Sequence, residues 1–128
     1  MDVLRTNGDR LWSSLMEIGK IGGTSGGGCH RLALSPEEGR ARDLFRTWAE
    51  QAGCAVAVDP IGNMFARRSG TDPDAEAVAI GSHLDTVPKG GKFDGAYGMM
   101  AGLEVMRCLQ ELGLETRRPV ELVMWTNE

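Results

Sequence analysis

The residues best equipped for chemistry in this sequence are His83, Asp85, Asp94 and Glu128. They comprise an imidazole, a carboxylate two residues on, a carboxylate in a glycine-rich stretch and a carboxylate at the end of a later apolar run. That set suits a divalent metal, because neutral histidine and carboxylate oxygen are ordinary ligands of Zn²⁺, Mn²⁺ or Co²⁺. In His83-Leu84-Asp85 the alternation of a strand end turns both polar side chains to one side. Asp85 can then orient the His83 ring or help to hold the site. Asp94 stands between Phe93 and Gly95, where neighbouring glycines let the loop bring its carboxylate inward. Glu128 is placed to take a proton from metal-activated water as general base. Read singly, each has an ordinary alternative: a hydrogen-bonded histidine, an aspartate in the N-cap region of the next helix, a solvated glutamate.

The elements that must position these residues are legible in the flanking sequence. Val120-Glu121-Leu122-Val123-Met124-Trp125 reads as a strand, and Ala77-Val78-Ala79-Ile80-Gly81 as a short apolar strand buried on both faces, with a loop from Ser82 to Asp94. Between them, Ala96 to Leu112 is a helix with Met99, Met100, Leu103, Met106, Leu109 and Leu112 facing inward, closed by Gly113. Strand, helix, strand is a βαβ unit with parallel strands, so both carboxyl ends lie on one sheet edge, where open α/β sheets bind ligands. Upstream, Leu11, Leu15 and Ile18 mark a short amphipathic helix over Asp9 to Ile18. Ser35-Pro36-Glu37-Glu38 starts another, with Ser35 as N-cap and Glu38 closing a capping box. Ala41, Leu44, Phe45, Trp48 and Ala52 line its inner face. Cys54 to Val58 and Met64 to Arg67 form a hairpin across Asp59-Pro60-Ile61-Gly62-Asn63.

Composition narrows the function. At 128 residues the chain has room for one domain, and a net charge of −4 argues against a nucleic-acid surface. No apolar run is long enough to span a bilayer, and Met1 to Asn7 lack the pattern of a signal peptide. Cys29, Cys54 and Cys108 are odd in number and widely spaced, which reads as free thiols in a cytoplasmic protein. Glycine, 18 of 128, is about twice its usual share and gathers at Gly22–Gly28 and Gly90–Gly98. The first cluster ends in Gly28-Cys29-His30, without the Gly-Lys-Ser/Thr of a phosphate loop, and reads as a flexible loop. Met99, Met100, Met106 and Met124 fit a core.

Four stretches together carry a resemblance: Gly81-Ser82-His83-Leu84-Asp85-Thr86-Val87-Pro88, Gly90-Gly91-Lys92-Phe93-Asp94-Gly95-Ala96-Tyr97-Gly98, Ala101-Gly102-Leu103-Glu104-Val105 and Trp125-Thr126-Asn127-Glu128. With Arg31-Leu32-Ala33-Leu34-Ser35 and Asp59-Pro60-Ile61-Gly62-Asn63 upstream, the chain resembles the hydantoinase/carbamoylase amidases. These include N-carbamoyl-L-amino acid hydrolases, β-ureidopropionases and allantoate amidohydrolases, within the dinuclear metallopeptidase superfamily. The resemblance implies an α/β fold: the N-terminal part of a metallopeptidase-like catalytic domain, with a mixed, largely parallel sheet and flanking helices. It implies two divalent metal ions (Zn, Mn, Co or Ni), with His83 binding one, Asp94 bridging both, Asp85 supporting His83 and Glu128 as general base. It also implies a small ureido or N-carbamoyl substrate and a homodimer. The family's Asn-Glu-Glu motif places a further ligand immediately after Glu128. Residues 1–128 are accordingly expected to be the N-terminal portion of the catalytic domain, with its remainder and the lid or dimerisation domain outside the chain. Gly28-Cys29-His30 departs from the family pattern. Three expectations follow: an N-carbamoyl amino acid hydrolase, an allantoate amidohydrolase as its nearest variant, and a truncated, non-catalytic α/β module as the alternative of another class.

Overall fold

The computed structural model describes residues 3–128; the leader reading, where it rests on Met1 and Asp2, lies outside them. Helix α1 runs Gly8–Ile18, and Asn7 caps it by accepting the Arg10 N–H through its side-chain oxygen at 3.0 Å. Helix α2 spans Pro36–Gln51. Its Ser35 Oγ accepts the Glu38 N–H at 3.2 Å as the capping pattern predicts, whereas the Glu38 carboxylate accepts the Leu34 N–H, one residue before the expected partner. Strands β1 (Ala55–Val58) and β2 (Met64–Arg68) form the expected hairpin, with Val58 opposite Met64. Its turn is fixed by Asp59 Oδ1, which accepts the N–H groups of Ile61 and Asn63.

Strand β3 (Val78–His83), helix α3 (Ala96–Glu111) and strand β4 (Val120–Trp125) make the βαβ unit. β3 and β4 are parallel from Val78 opposite Val120 to His83 opposite Trp125, so their carboxyl ends share an edge. The sheet order is β1-β2-β4-β3, and β4 pairs antiparallel with β2. The sheet is therefore mixed, and its parallel part is the single β3–β4 pair. One face carries Met64, Ala66, Val120, Leu122 and Met124. These pack in one core with Leu15 and Ile18 of α1, Phe45 and Ala49 of α2, and Met99, Met100, Leu103 and Met106 of α3. All three helices thus cover the same face, and each fully buried Leu or Met there contributes about 1.5–3 kcal/mol. Among the described residues no helix is long and apolar enough to cross a membrane.

Three expectations about these elements are corrected. β3 is not buried on both faces. Among the described residues it is an edge strand, with Val78 50% exposed, because β4 is its one neighbour there and helices cover one side. It also continues through Ser82 to His83, beyond the apolar run that predicts it and into the expected loop. Leu112 is exposed, because α3 stops at Glu111 and leaves it as the C-cap. The first glycine cluster is more than a connector. Cys29 bridges Gly23 on one side and Gly90 on the other, and its N–H donates to the Gly90 carbonyl at 2.8 Å. A Cβ on Gly28 would lie 2.6 Å from that carbonyl oxygen, so only glycine permits the approach. The first cluster braces the loop that leads to Asp94. The three cysteines are free, as expected.

Candidate metal centre

His83 is the last residue of β3, Asp94 lies two residues before α3, and Glu128 follows β4 by three. The parallel pairing and the crossover helix bring all three to one edge. One ligand atom from each lies within 4.8 Å of the others. The His83 ring is half-buried and ordered by what touches it. Its Nδ1 is 2.9 Å from the Asp85 carbonyl oxygen, which can only accept, so Nδ1 carries a hydrogen and Nε2 is the nitrogen that faces the carboxylates. Nε2 is 4.0 Å from Glu128 Oε1. That is the arrangement a metal-binding histidine needs, with the second nitrogen tied to a carbonyl.

Asp85 does not converge with the exposed carboxylates. It is buried beneath them, 3% exposed. Its Oδ2 accepts the backbone N–H of Glu128 at 3.1 Å, and its Oδ1 lies 3.4 Å from His83 Nδ1, with no hydrogen-bond partner among the described residues. One aspartate therefore touches both strand ends. Leu32, Ala33, Val87, Pro88 and Asn127 line a cleft that flanks Asp85 and Glu128.

Asp94 is aimed by Gly95. That residue has φ 69 and ψ −49, and the Ala96 N–H donates to the Asp94 carbonyl at 2.7 Å, a γ-turn of the positive-φ kind. The His83 ring lies where a side chain at position 95 would be: a Cβ there would sit 2.5 Å from Nδ1 and Nε2. Gly95 thus performs two tasks, turning the chain into α3 and leaving room for the imidazole. Ser82 Oγ fixes the same corner by donating to the Gly95 carbonyl at 2.8 Å.

The donors fit a divalent cation. One imidazole nitrogen and two carboxylates match Zn²⁺ or Mn²⁺ chemistry. Ligands about 2.1 Å from one ion lie at most about 4.2 Å apart, so the observed 4.8 Å spread closes with small side-chain rotations. Three ligands of this kind complete neither a closed site nor a pair of sites. Sequence reasoning found His83, Asp94 and Glu128 but passed over Arg31, the largest fully buried side chain, which packs behind Leu84 and Thr86. Its only sequence signal was a charged residue opening an otherwise apolar stretch, Arg31-Leu32-Ala33-Leu34.

An imidazole and carboxylates gathered at the carboxyl edge of an α/β sheet define an α/β domain with a candidate metal site where such sheets bind ligands. The profile of Peptidase family M28 matches residues 63–128, and the chain belongs to that family. The expected likeness to the hydantoinase/carbamoylase amidases is borne out. The chain is 52% identical over 124 residues to the N-carbamoyl-L-amino-acid amidohydrolase of Rhizobium meliloti, covering 97% of this chain and 30% of that protein. It is 38% identical over 122 residues to allantoate deiminase 1 of Glycine max, covering 94% of this chain and 25% of the other. Among solved structures, a hydantoinase/carbamoylase family amidase from Burkholderia multivorans superposes with a TM-score of 0.96 at 53% identity, over 98% of this chain and 30% of that one. The chain spans about 30% of the length of the curated relatives it matches.

Proposed function

We propose that residues 1–128 are the N-terminal portion of the catalytic domain of a metal-dependent hydrolase that cleaves the C–N bond of N-carbamoyl-L-amino acids. The observation that carries this reading is the convergence of His83, Asp94 and Glu128 within 4.8 Å at the sheet edge. Identity to the carbamoyl-amino-acid hydrolase, 52% against 38% for the allantoate enzyme, favours the N-carbamoyl substrate over allantoate. His83 would hold a metal through Nε2, and Asp94 would bridge two. Divalent ions held there, among Zn, Mn, Co or Ni, would polarise the ureido carbonyl and acidify water. Glu128 would accept the water's proton and return it to the leaving nitrogen. Asp85 would hold the Glu128 backbone through Oδ2 and the His83 ring through its carbonyl oxygen. The free cysteines support a cytoplasmic protein, and the resemblance supports a homodimer.

The test is Glu128→Gln in the complete polypeptide that carries this chain, assayed on N-carbamoyl-L-amino acids and on allantoate. The expected result is a fall in kcat of about 10²–10⁴-fold with metal content unchanged. Near-normal turnover would remove Glu128 as the base. Loss of metal together with activity would make it a ligand instead. Faster turnover of allantoate than of any N-carbamoyl amino acid would reassign the substrate.

A further inference from the structure

Arg31 is fully buried, and no carboxylate of the described residues lies within ion-pair distance of it. A guanidinium without an anionic partner is costly to bury, so its place requires a reason. Burial pushes its pKa below the ordinary arginine value, while Cys29, Glu38 and Asp85 act in the opposite direction. The hydrogen bonds show what the side chain accomplishes. Nη1 donates to the carbonyls of Ile18 (2.9 Å) and Ile21 (2.7 Å), at the carboxyl end of α1 where a cation is favoured. Nε donates to the Leu84 carbonyl at 2.8 Å. The Arg31 backbone reaches the same segment two residues later: its N–H donates to Thr86 Oγ1 at 2.8 Å, and its carbonyl accepts the Thr86 N–H at 2.7 Å. Three hydrogen bonds from one residue therefore grip the chain immediately before and immediately after Asp85.

Asp85 in turn touches both His83 and Glu128. We propose that Arg31 is a positioning residue of the metal edge, fixing the Leu84–Thr86 segment and, through Asp85, the spacing between His83 and Glu128. The planar fork matters. A lysine would keep the charge but present one ammonium, which cannot bind carbonyls on two segments in fixed directions. An apolar side chain would fill the volume, leave the Leu84 carbonyl without its donor and leave the Ile21 carbonyl only the Cys29 thiol.

This inference rests on the metal-centre reading above, and the experiment separates the two. Arg31→Lys, Thr86→Val and His83→Ala are made in the complete polypeptide. Affinity for Mn²⁺ and Zn²⁺ is measured by competition with a chromophoric chelator, and the thermal midpoint by circular dichroism. Arg31→Lys and Thr86→Val are expected to remain folded at the assay temperature, to bind metal about 10–100-fold more weakly, and to regain turnover at saturating metal. A purely structural role would lower the midpoint and leave metal affinity of the folded protein unchanged, and that result overturns the proposal. Should Arg31→Lys fail to fold, Arg31→Gln takes its place, because it removes the guanidinium fork and still offers an N–H toward the Leu84 carbonyl. If His83→Ala binds metal as the parent does, the metal-centre reading fails and the Arg31 role falls with it. If His83→Ala loses metal while both other variants keep parental affinity, only the Arg31 role is wrong.

Discussion

Replacing Gly95 with alanine perturbs the backbone and the candidate metal centre together, and the two effects can be measured apart. The residue sits at φ 69, where an L side chain costs about 1–3 kcal/mol of backbone strain. The new Cβ would lie 2.5 Å from the His83 ring nitrogens, whereas comfortable contacts between heavy atoms are about 3.5–4.0 Å. The ring must therefore move by roughly 1 Å, away from the position its Nδ1 bond to the Asp85 carbonyl defines. A displacement of that size at a metal-binding histidine is expected to weaken metal affinity about 10–100-fold. Gly113 supplies the control: its φ is 61, and a Cβ there meets nothing within 4 Å. Gly113→Ala should show only the backbone cost, about 1–2 kcal/mol in urea unfolding, with metal affinity intact. Both variants would be made in the complete polypeptide and compared by urea midpoint and chelator competition. Equal metal affinity in the two would refute the claim that Gly95 makes room for the imidazole.

Two further outcomes follow from buried groups away from the centre. Burial opposes ionisation of Glu104, but hydrogen bonds from Arg10, the Asn7 N–H and Cys108 hold its pKa below the usual glutamate range. Its contribution is therefore complete above that range and is lost as pH falls through the lowered folded value. Glu104→Gln should cost about 1.5–3 kcal/mol at neutral pH and flatten the acid limb of a urea stability profile, and an unchanged limb would contradict this. Burial also pushes the Cys29 and Cys54 thiols upward, and Cys108 likewise with help from Glu104. Iodoacetamide at pH 7 should label Cys29 and Cys54 only on unfolding, with the half-buried Cys108 reacting first; rapid native labelling of Cys29 by mass spectrometry would be inconsistent.

The βαβ unit was legible because its signals are local. The spacing of Met99, Leu103 and Met106 declares a helix, and Val120–Trp125 declares a strand. Once the two strands are parallel, His83 and Glu128 must approach each other. The mistaken burial of β3 has a physical cause: a short apolar run does not distinguish a central strand from an edge strand, and only the pairing partners decide. Nor could local pattern show that β4 inserts between β2 and β3, because that choice is made by contacts across more than 50 residues. The burial of Arg31 was hidden for a related reason. Its partners Ile18, Ile21, Leu84 and Thr86 offer backbone carbonyls and a hydroxyl, which leave no complementary charge in the sequence to find.

The place of β4 in the sheet bears on how the molecule is made. It is the last described element in chain order, yet it lies between β2 and β3. While the ribosome is still short of Val120, the β1–β2 hairpin has no further strand and β3 has no neighbour at all. A lone hairpin is marginally stable in water. Two unpaired edges and a row of uncovered methionines are then open to association with other nascent chains. The β2–β4 and β3–β4 pairings and the core contacts they bring form together once residues 120–125 emerge, and Glu128 joins His83 and Asp94 three residues later. A translational stall just upstream of that strand would therefore be more hazardous to this protein than a stall almost anywhere earlier.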